Sequence, residues 1–193
     1  MRSNRLRITF NSPVILSMVA ISFVATLLGY LSGGYITELV FMTYRASLLS
    51  PLTWIRAFAH IFGHADWSHL VGNMSYILLF GPLLEEKYGS KTLVFVTAIT
   101  AFMTSLVNFC FFPNVGLCGA SGIVFAFIIL SSFTSFREGE IPLTFILVAV
   151  LFIGQQIFEG LVINDNISNT AHILGGIVGG LIGYALNKQS VES

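Results

Sequence analysis

Six apolar stretches, separated by short polar segments, constrain what this chain can fold into more than any other feature. The stretches cover residues 13–33, 69–85, 92–112, 118–135, 141–160 and 168–186. A transmembrane helix needs about 20 residues, with ~17 as the lower limit. Because only 9% of the residues are charged, against about 25% in a soluble domain, the chain cannot cover a water-facing surface. The sequence therefore predicts an all-α, polytopic membrane protein with six transmembrane helices.

The chain is expected to form one membrane-embedded domain over residues 1–193, with short tails at 1–12 and 187–193. Its basic N-terminus and first apolar stretch resemble a signal peptide, but the stretch is long enough to span a bilayer and no A-x-A site follows it. We therefore interpret it as an uncleaved helix. The connection 34–68 is long and carries apolar and aromatic side chains throughout, which predicts a folded element at the membrane interface.

Lysine and arginine predict the orientation in the membrane, because cytoplasmic connections are enriched in them. With the N-terminus inside, the outer side would hold only Arg45 and Arg56. The inner side would hold Arg2, Arg5, Arg7, Lys87, Lys91, Arg137 and Lys188. We therefore expect both termini in the cytoplasm of a bacterium, with the chain in the inner membrane. The formal net charge is zero and no long basic run is present, so the lipid bilayer is an expected partner and nucleic acid is not.

Four polar side chains fall at the outer ends of three predicted helices. The second helix would begin with His69 and reach Asn73 one turn later, the fourth would begin around Ser121, and the sixth near His172. All three helices would run from the outside to the inside, so the four side chains should lie at a similar shallow depth. Polar groups in a membrane are costly and tend to face one another or a cavity. The pattern therefore predicts one shared site.

The residue types at this site suit acyl transfer. A serine hydroxyl is a poor nucleophile unless a base takes its proton, and histidine is the usual base near neutral pH. Ser121 and His172 are the candidate pair. The tetrahedral intermediate then needs hydrogen-bond donors aimed at its oxyanion, which Asn73 and His69 could supply.

Glycines surround both members of this candidate pair. Gly119 and Gly122 flank Ser121 and free the backbone there for a tight turn. In the sixth stretch, glycine recurs at every fourth position after the histidine, at Gly175, Gly179 and Gly183. Such a face lets two helix backbones approach closely. If it packs on the fourth helix, His172 would come within hydrogen-bond reach of Ser121.

The same residues resemble the rhomboid family of intramembrane serine proteases. The resemblance lies in G-A-S-G at 119–122, A-H-x-x-G-x-x-x-G at 171–179 and H-x-x-x-N at 69–73. It covers about residues 50–186. Each motif alone is weak, but the three occur together, in order and on matching predicted helices. The chain is expected to be the minimal form of the family, without a cytoplasmic N-terminal domain or a seventh helix.

The resemblance implies a six-helix bundle with a large outer loop between the first two helices. It implies Ser121 as nucleophile, His172 as general base, and an oxyanion hole formed by Asn73, His69 and the Ser121 amide. Phe125 stands where bacterial relatives often have tyrosine, and we expect its ring to support the histidine. The resemblance further implies no metal and no cofactor, transmembrane segments of other proteins as substrates, and a site that opens to the outer face.

Two other functions are compatible with a polytopic chain of this kind. A client-binding relative that has lost catalysis would keep the fold and lose the serine or the histidine, whereas both are present here. A small transporter or channel would place charges near the midplane of the membrane and use broken helices. The apolar stretches carry almost no charge and their polar groups cluster near one face, so the sequence favours the enzyme.

Other polar residues allow different sites. His60 and His64 could bind a metal ion together with His69, but no H-E-x-x-H pattern is present, and structural hydrogen bonding is the favoured interpretation. Cys118 could be a rival nucleophile, yet it lacks flanking glycines. Cys110 and Cys118 lie near one connection, so a disulfide between them is possible, although two buried thiols are favoured.

Overall fold

A computed structural model describes residues 10–133, positions 143, 146–148, 150, 151 and 154, and residues 166–192. Within that part of the chain the continuous helices are α1 (Pro13–Leu31), α2 (Tyr35–Val40), α3 (Pro51–Ala59), α4 (Trp67–Tyr88), α5 (Ser90–Phe111), α6 (Ser121–Ser132) and α7 (Asn166–Glu192). The described residues form no strand beyond one isolated antiparallel bridge between Thr43 and Leu117. The all-α fold is therefore confirmed. The predicted fifth stretch, 141–160, lies largely outside the described residues, as do residues 1–9, and the count of six spans stays a prediction.

The longest apolar helices present apolar surfaces of the kind that face lipid. By length and composition α1 and α5 could each cross a membrane, and α6 and residues 170–186 of α7 are shorter apolar helices. Large apolar side chains project outward, with Leu31 71%, Leu79 61% and Phe95 59% exposed. Exposed large apolar side chains on α1, α4 and α5 are typical of surfaces that face lipid. These faces are those of a membrane protein.

Helix α4 is longer than the predicted stretch 69–85 and begins before it. Asp66 is the N-cap, and its Oδ1 accepts hydrogen bonds from the amide of His69 at 2.8 Å and from the hydroxyl of Ser68 at 2.6 Å. An aspartate in this position satisfies amides that a helix start leaves unpaired. The predicted start at His69 was wrong, because hydropathy marks apolar residues and not the polar cap that starts a helix.

Helix α7 also begins earlier than expected. The sequence placed its start near Ala171 and His172, whereas the helix begins at Asn166, so His172 lies almost two turns inside it. The prediction was wrong because the polar residues before Ala171 continue the helix without adding to its hydropathy. His172 is consequently held by helical backbone on both sides.

Helix α6 forms the centre of the packing. Its Ile123, Phe127 and Leu130 are completely buried. α7 lies along one face of this helix, where a Cβ atom added at Gly183 would fall 2.5 Å from the ring of Phe133. The predicted contact of the glycine face with the fourth helix is confirmed at this end.

The same face is closest near the start of α6. A Cβ atom at Gly175 would collide with the carbonyl oxygen of Gly122 and lie 2.8 Å from its carbonyl carbon. One at Gly179 would lie 2.9 Å from the carbonyl carbon of Ala126. Real Cβ atoms do not approach backbone so closely, so only glycine permits this helix separation. The two glycines therefore set the distance between α6 and α7.

The connection between α1 and α4 is folded, as expected. Pro51 occupies the first turn of α3, where its missing N–H costs nothing. Arg56 is buried, donates from Nε to the carbonyl oxygen of Leu39 at 2.8 Å, and stacks its guanidinium 4.4 Å from the ring centroid of Tyr44. These contacts tie α3 to the preceding segment, so the connection is a fixed wall of the molecule.

Candidate active site

The four polar side chains singled out in the sequence line one cavity of about 770 Å³. Ser121 and His172 face it from α6 and α7, and His69 and Asn73 face it from α4. The remaining walls are Ser68, Gly72, Tyr76, Val124, Phe125, Ile128, Val148 and Leu151. The structure thus brings together the residues that the sequence predicted to share a site.

Ser121 is the first residue of α6 and follows a glycine with unusual backbone geometry. Gly119 has φ +122, a region that side chains disfavour. A Cβ atom there would lie 2.7 Å from Cε1 of His69 and 3.7 Å from Nδ2 of Asn73. Gly119 is therefore required on two counts, and its lack of a side chain lets α4 approach the turn before the serine. As the first helical residue, Ser121 has no acceptor for its amide within the helix.

His172 contacts an aromatic ring as expected. Its imidazole centroid lies 4.3 Å from that of Phe125, with the planes tilted by 43°. Phe125 is one turn after Ser121, so both project from the same side of α6. Because Gly175, less than one turn after His172, contacts Gly122, the imidazole is carried close to the start of α6.

Asn73 has the features of an unused hydrogen-bond donor. Only 7% of the residue is exposed, and its Nδ2 atom has no hydrogen-bond partner among the described residues. An unpaired buried donor costs about 1–3 kcal/mol, so such groups call for an explanation. An amide N–H that lines a cavity beside a serine is available to an oxyanion.

His69 is half-buried and fixed from two directions. Its amide donates to Asp66 at 2.8 Å, and the His64 ring meets its ring edge-on at 5.0 Å between centroids. Asp66 is a contributor to the site that the motifs around Ser121, His172 and Asn73 do not single out. A helix-capping aspartate three positions before a candidate site histidine is a recognisable signal.

The alternative metal site does not form. Among the residues that the structure describes, no three His, Cys, Asp or Glu side chains form a group that could hold a metal ion. His60 is buried, with Nδ1 3.2 Å from the carbonyl oxygen of Arg56 and Nε2 3.2 Å from Oγ1 of Thr104. Burial lowers the pKa of His60 to about 4. His60 therefore has the structural role that the sequence favoured.

The two cysteines are free, so no disulfide joins them. The expectation that both thiols are buried is wrong, because Cys110 is exposed and Cys118 is only half-buried. Burial raises the pKa of the Cys118 thiol, which disfavours the thiolate that a nucleophilic cysteine needs. Cys118 is accordingly a poor rival to Ser121.

Comparison with models of protein families shows which family the chain belongs to. The model of the Rhomboid domain matches residues 51–189, which is well over half of the sequence and includes every residue of the candidate site. The chain belongs to the rhomboid family. Its membership agrees with the resemblance carried by the three motifs.

Similar rhomboid proteins come from plants, animals and bacteria. Rhomboid-like protein 11, chloroplastic, of Arabidopsis thaliana is 26% identical over 149 residues, covering 70% of this chain and 53% of that protein. Rhomboid-related protein 1 of Caenorhabditis elegans is 32% identical over 145 residues, covering 69% and 40%. Rhomboid protease GlpG of Haemophilus influenzae is 28% identical over 145 residues, covering 71% and 73%. This chain thus spans about half the length of the first two relatives and more of the third.

Proposed function

We propose that this rhomboid protein is an intramembrane serine endopeptidase that cleaves transmembrane segments of other membrane proteins. The observation that carries the proposal is the shared cavity, in which Ser121 and His172 lie together with an amide of Asn73 that has no partner in the described part of the chain. Relatives named rhomboid protease GlpG add support at the level of the family.

In the proposed reaction, His172 takes the hydroxyl proton of Ser121 while Oγ attacks the carbonyl carbon of the substrate. The oxyanion that forms accepts hydrogen bonds from Nδ2 of Asn73, from His69 and from the Ser121 amide. His172 then gives its proton to the departing amine. Water, activated by the same histidine, hydrolyses the acyl-enzyme and regenerates the serine. The proposed steps use side chains and one backbone amide of the protein, together with water.

The proposed placement in the membrane follows from the distribution of lysine and arginine along the sequence. Six spans with both termini in the cytoplasm of a bacterium would put the starts of α4 and α6 at the outer side of the inner membrane. The cavity would then open near the outer membrane–water boundary. Water, which the hydrolytic step needs, is available at that depth.

The proposal is tested with a fluorophosphonate probe on the purified protein in detergent. Wild type is compared with Ser121→Ala, His172→Ala and the control Ser132→Ala, which deletes a hydroxyl at the far end of the same helix. We expect labelling of wild type and the control and none of the other two. Absence of labelling in a folded wild-type sample would contradict the enzyme and favour the alternative, a catalytically silent rhomboid that binds clients.

A further inference from the structure

The segment that leads into Ser121 is held by hydrogen bonds at every second residue. The carbonyl of Val115 accepts from Nδ2 of Asn108 at 3.1 Å. Leu117 exchanges two backbone hydrogen bonds with Thr43, each of 2.9 Å. The amide of Gly119 donates to the carbonyl of His60 at 2.9 Å. Alternate residues of an extended chain point their backbone groups the same way, so one side of this segment is anchored along its whole length.

All of these anchors converge on one polar face of α5. Nδ2 of Asn108 also donates to the carbonyl of Thr43 at 3.3 Å, and Oγ1 of Thr43 lies 2.7 Å from Oγ of Ser105. Nε2 of His60 lies 3.2 Å from Oγ1 of Thr104. Two adjacent residues of α5, Thr104 and Ser105, therefore hold the two partners of the segment. Asn108, one turn later, holds Thr43 as well. The side chains of Asn108, Thr43 and Ser105 are all nearly fully buried.

We propose that Asn108 and Thr43 are positioning residues for Ser121, and that their hydrogen bonds fix the segment 115–119 and thereby the direction in which α6 presents the serine. The proposal rests on the proposed protease function. Neither residue lines the cavity, so neither touches the substrate. They act through the backbone of the segment 115–119. The backbone of Leu117 and Gly119 is linked to α5 through Thr43 and His60, and the same segment leads directly into α6.

The loss of these hydrogen bonds should affect the reaction rate through the position of Ser121 more than through the stability of the fold. A serine displaced by about 1 Å from its base and oxyanion donors can lose ~100-fold in rate. Loss of the Asn108 amide frees the carbonyl of Val115 and removes one of the two hydrogen bonds that the carbonyl of Thr43 accepts, the other coming from the amide of Leu117. The segment can then shift as a unit while the helices remain packed.

The test compares Asn108→Leu, Thr43→Val and Thr43→Ser with wild type. At similar volume, Asn108→Leu removes both hydrogen bonds of the Asn108 amide, and Thr43→Val removes the side-chain hydrogen bond to Ser105 that holds the Thr43 backbone in place. Thr43→Ser keeps the hydroxyl that reaches Ser105. Thr97→Val is the matched control, since it deletes a buried hydroxyl of α5 far from the segment. The measurements are the fluorophosphonate labelling rate of Ser121, kcat and KM for a transmembrane substrate, and the melting temperature in detergent.

We expect kcat and the labelling rate of Asn108→Leu and Thr43→Val to fall by at least ~10-fold with KM nearly unchanged. Thr43→Ser and Thr97→Val should remain near wild type. Wild-type kcat and labelling rates in both Asn108→Leu and Thr43→Val would overturn the proposal. It would also be overturned if the loss of rate in these variants were no larger than the fraction of protein that is unfolded. Failure of wild type itself to label would instead overturn the protease function, so the two failures are distinguishable.

Discussion

The ring of Phe125 lies 4.3 Å from the imidazole of His172, measured between centroids, and the two planes are tilted by 43°. Both side chains line the cavity that contains Ser121. Because Phe125 projects from α6 and His172 from α7, the contact crosses the helix pair that the glycine face brings together. It restricts the imidazole on one side, which the proposed role of His172 as general base requires.

Replacement of Phe125 should therefore weaken catalysis by the proposed base His172 while leaving the imidazole itself in place. We expect Phe125→Ala to lower kcat by roughly 10-fold, because the imidazole would leave its productive orientation for part of the time. Phe125→Tyr keeps the ring and should stay close to wild type. The measurement is kcat for a transmembrane substrate, with fluorophosphonate labelling as a second readout. Unchanged turnover in Phe125→Ala would show that the ring does not orient the histidine.

Asn73→Ala should slow turnover by roughly 100-fold, the effect of one oxyanion donor. Its Nδ2 atom has no partner among the described residues, so its removal should cost little stability. The check is kcat together with the melting temperature. Tyr76→Phe, one turn further along the same cavity wall, serves as the control and should keep its rate. A normal rate in Asn73→Ala would remove this residue from the site.

Gly175→Ala should force α6 and α7 apart, because its Cβ atom would collide with the carbonyl of Gly122. Overpacking of this kind costs about 1–3 kcal/mol. Gly180→Ala is the matched control, since a Cβ atom there meets its nearest neighbour, Cγ2 of Ile129, at an ordinary 3.7 Å. Thermal unfolding in detergent should show a lower melting temperature for the first variant only. Equal melting temperatures would contradict the close contact.

Stability should fall as the pH drops from 7 to 5. Burial lowers the pKa of His60 from 6.5 to about 4, and burial with the neighbouring His69 lowers the pKa of His64 to about 4. Between these values the unfolded chain binds more protons than the folded one, so stability rises with pH through this window and levels off above ~6.5. For His60 the loss at pH 5 is about 2 kcal/mol.

Melting temperatures at pH 7 and pH 5 check this expectation. His64→Gln removes one titrating group beside Asp66 and His69, and should show a smaller difference between the two pH values than wild type. A pH-independent melting temperature in wild type would show that the buried histidines do not titrate in this range.

The sequence predicts α1 and α5 to within two residues at each end, as the stretches 13–33 and 92–112 against Pro13–Leu31 and Ser90–Phe111. In these helices the apolar run and the helix coincide, so hydropathy is sufficient. The stretches 69–85 and 168–186 also start two residues after α4 and α7 begin. There the difference matters, because His69 and His172 were expected at the very starts of their helices and lie inside them. Asp66 begins α4 with a capping hydrogen bond that a hydropathy pattern does not record.

The candidate site, too, could be predicted from the sequence only in part. The residue types and the motifs around Ser121, His172 and Asn73 indicate the chemistry, because only a few side chains can act as nucleophile, base and oxyanion donor. The motifs do not indicate how the serine is held. The anchoring by Asn108 and Thr43 joins residues far apart in the chain, and no spacing in the sequence points to it.

By itself the sequence determined that this chain is an all-α membrane protein of the rhomboid family with a candidate serine–histidine site, since charge content, apolar length and local motifs are properties of nearby residues. The tertiary structure decided that Gly119 lies against His69, that the amide of Asn73 has no partner among the described residues, and that α5 anchors the segment before Ser121. These contacts depend on which helix faces meet, and that is settled by packing of the whole bundle.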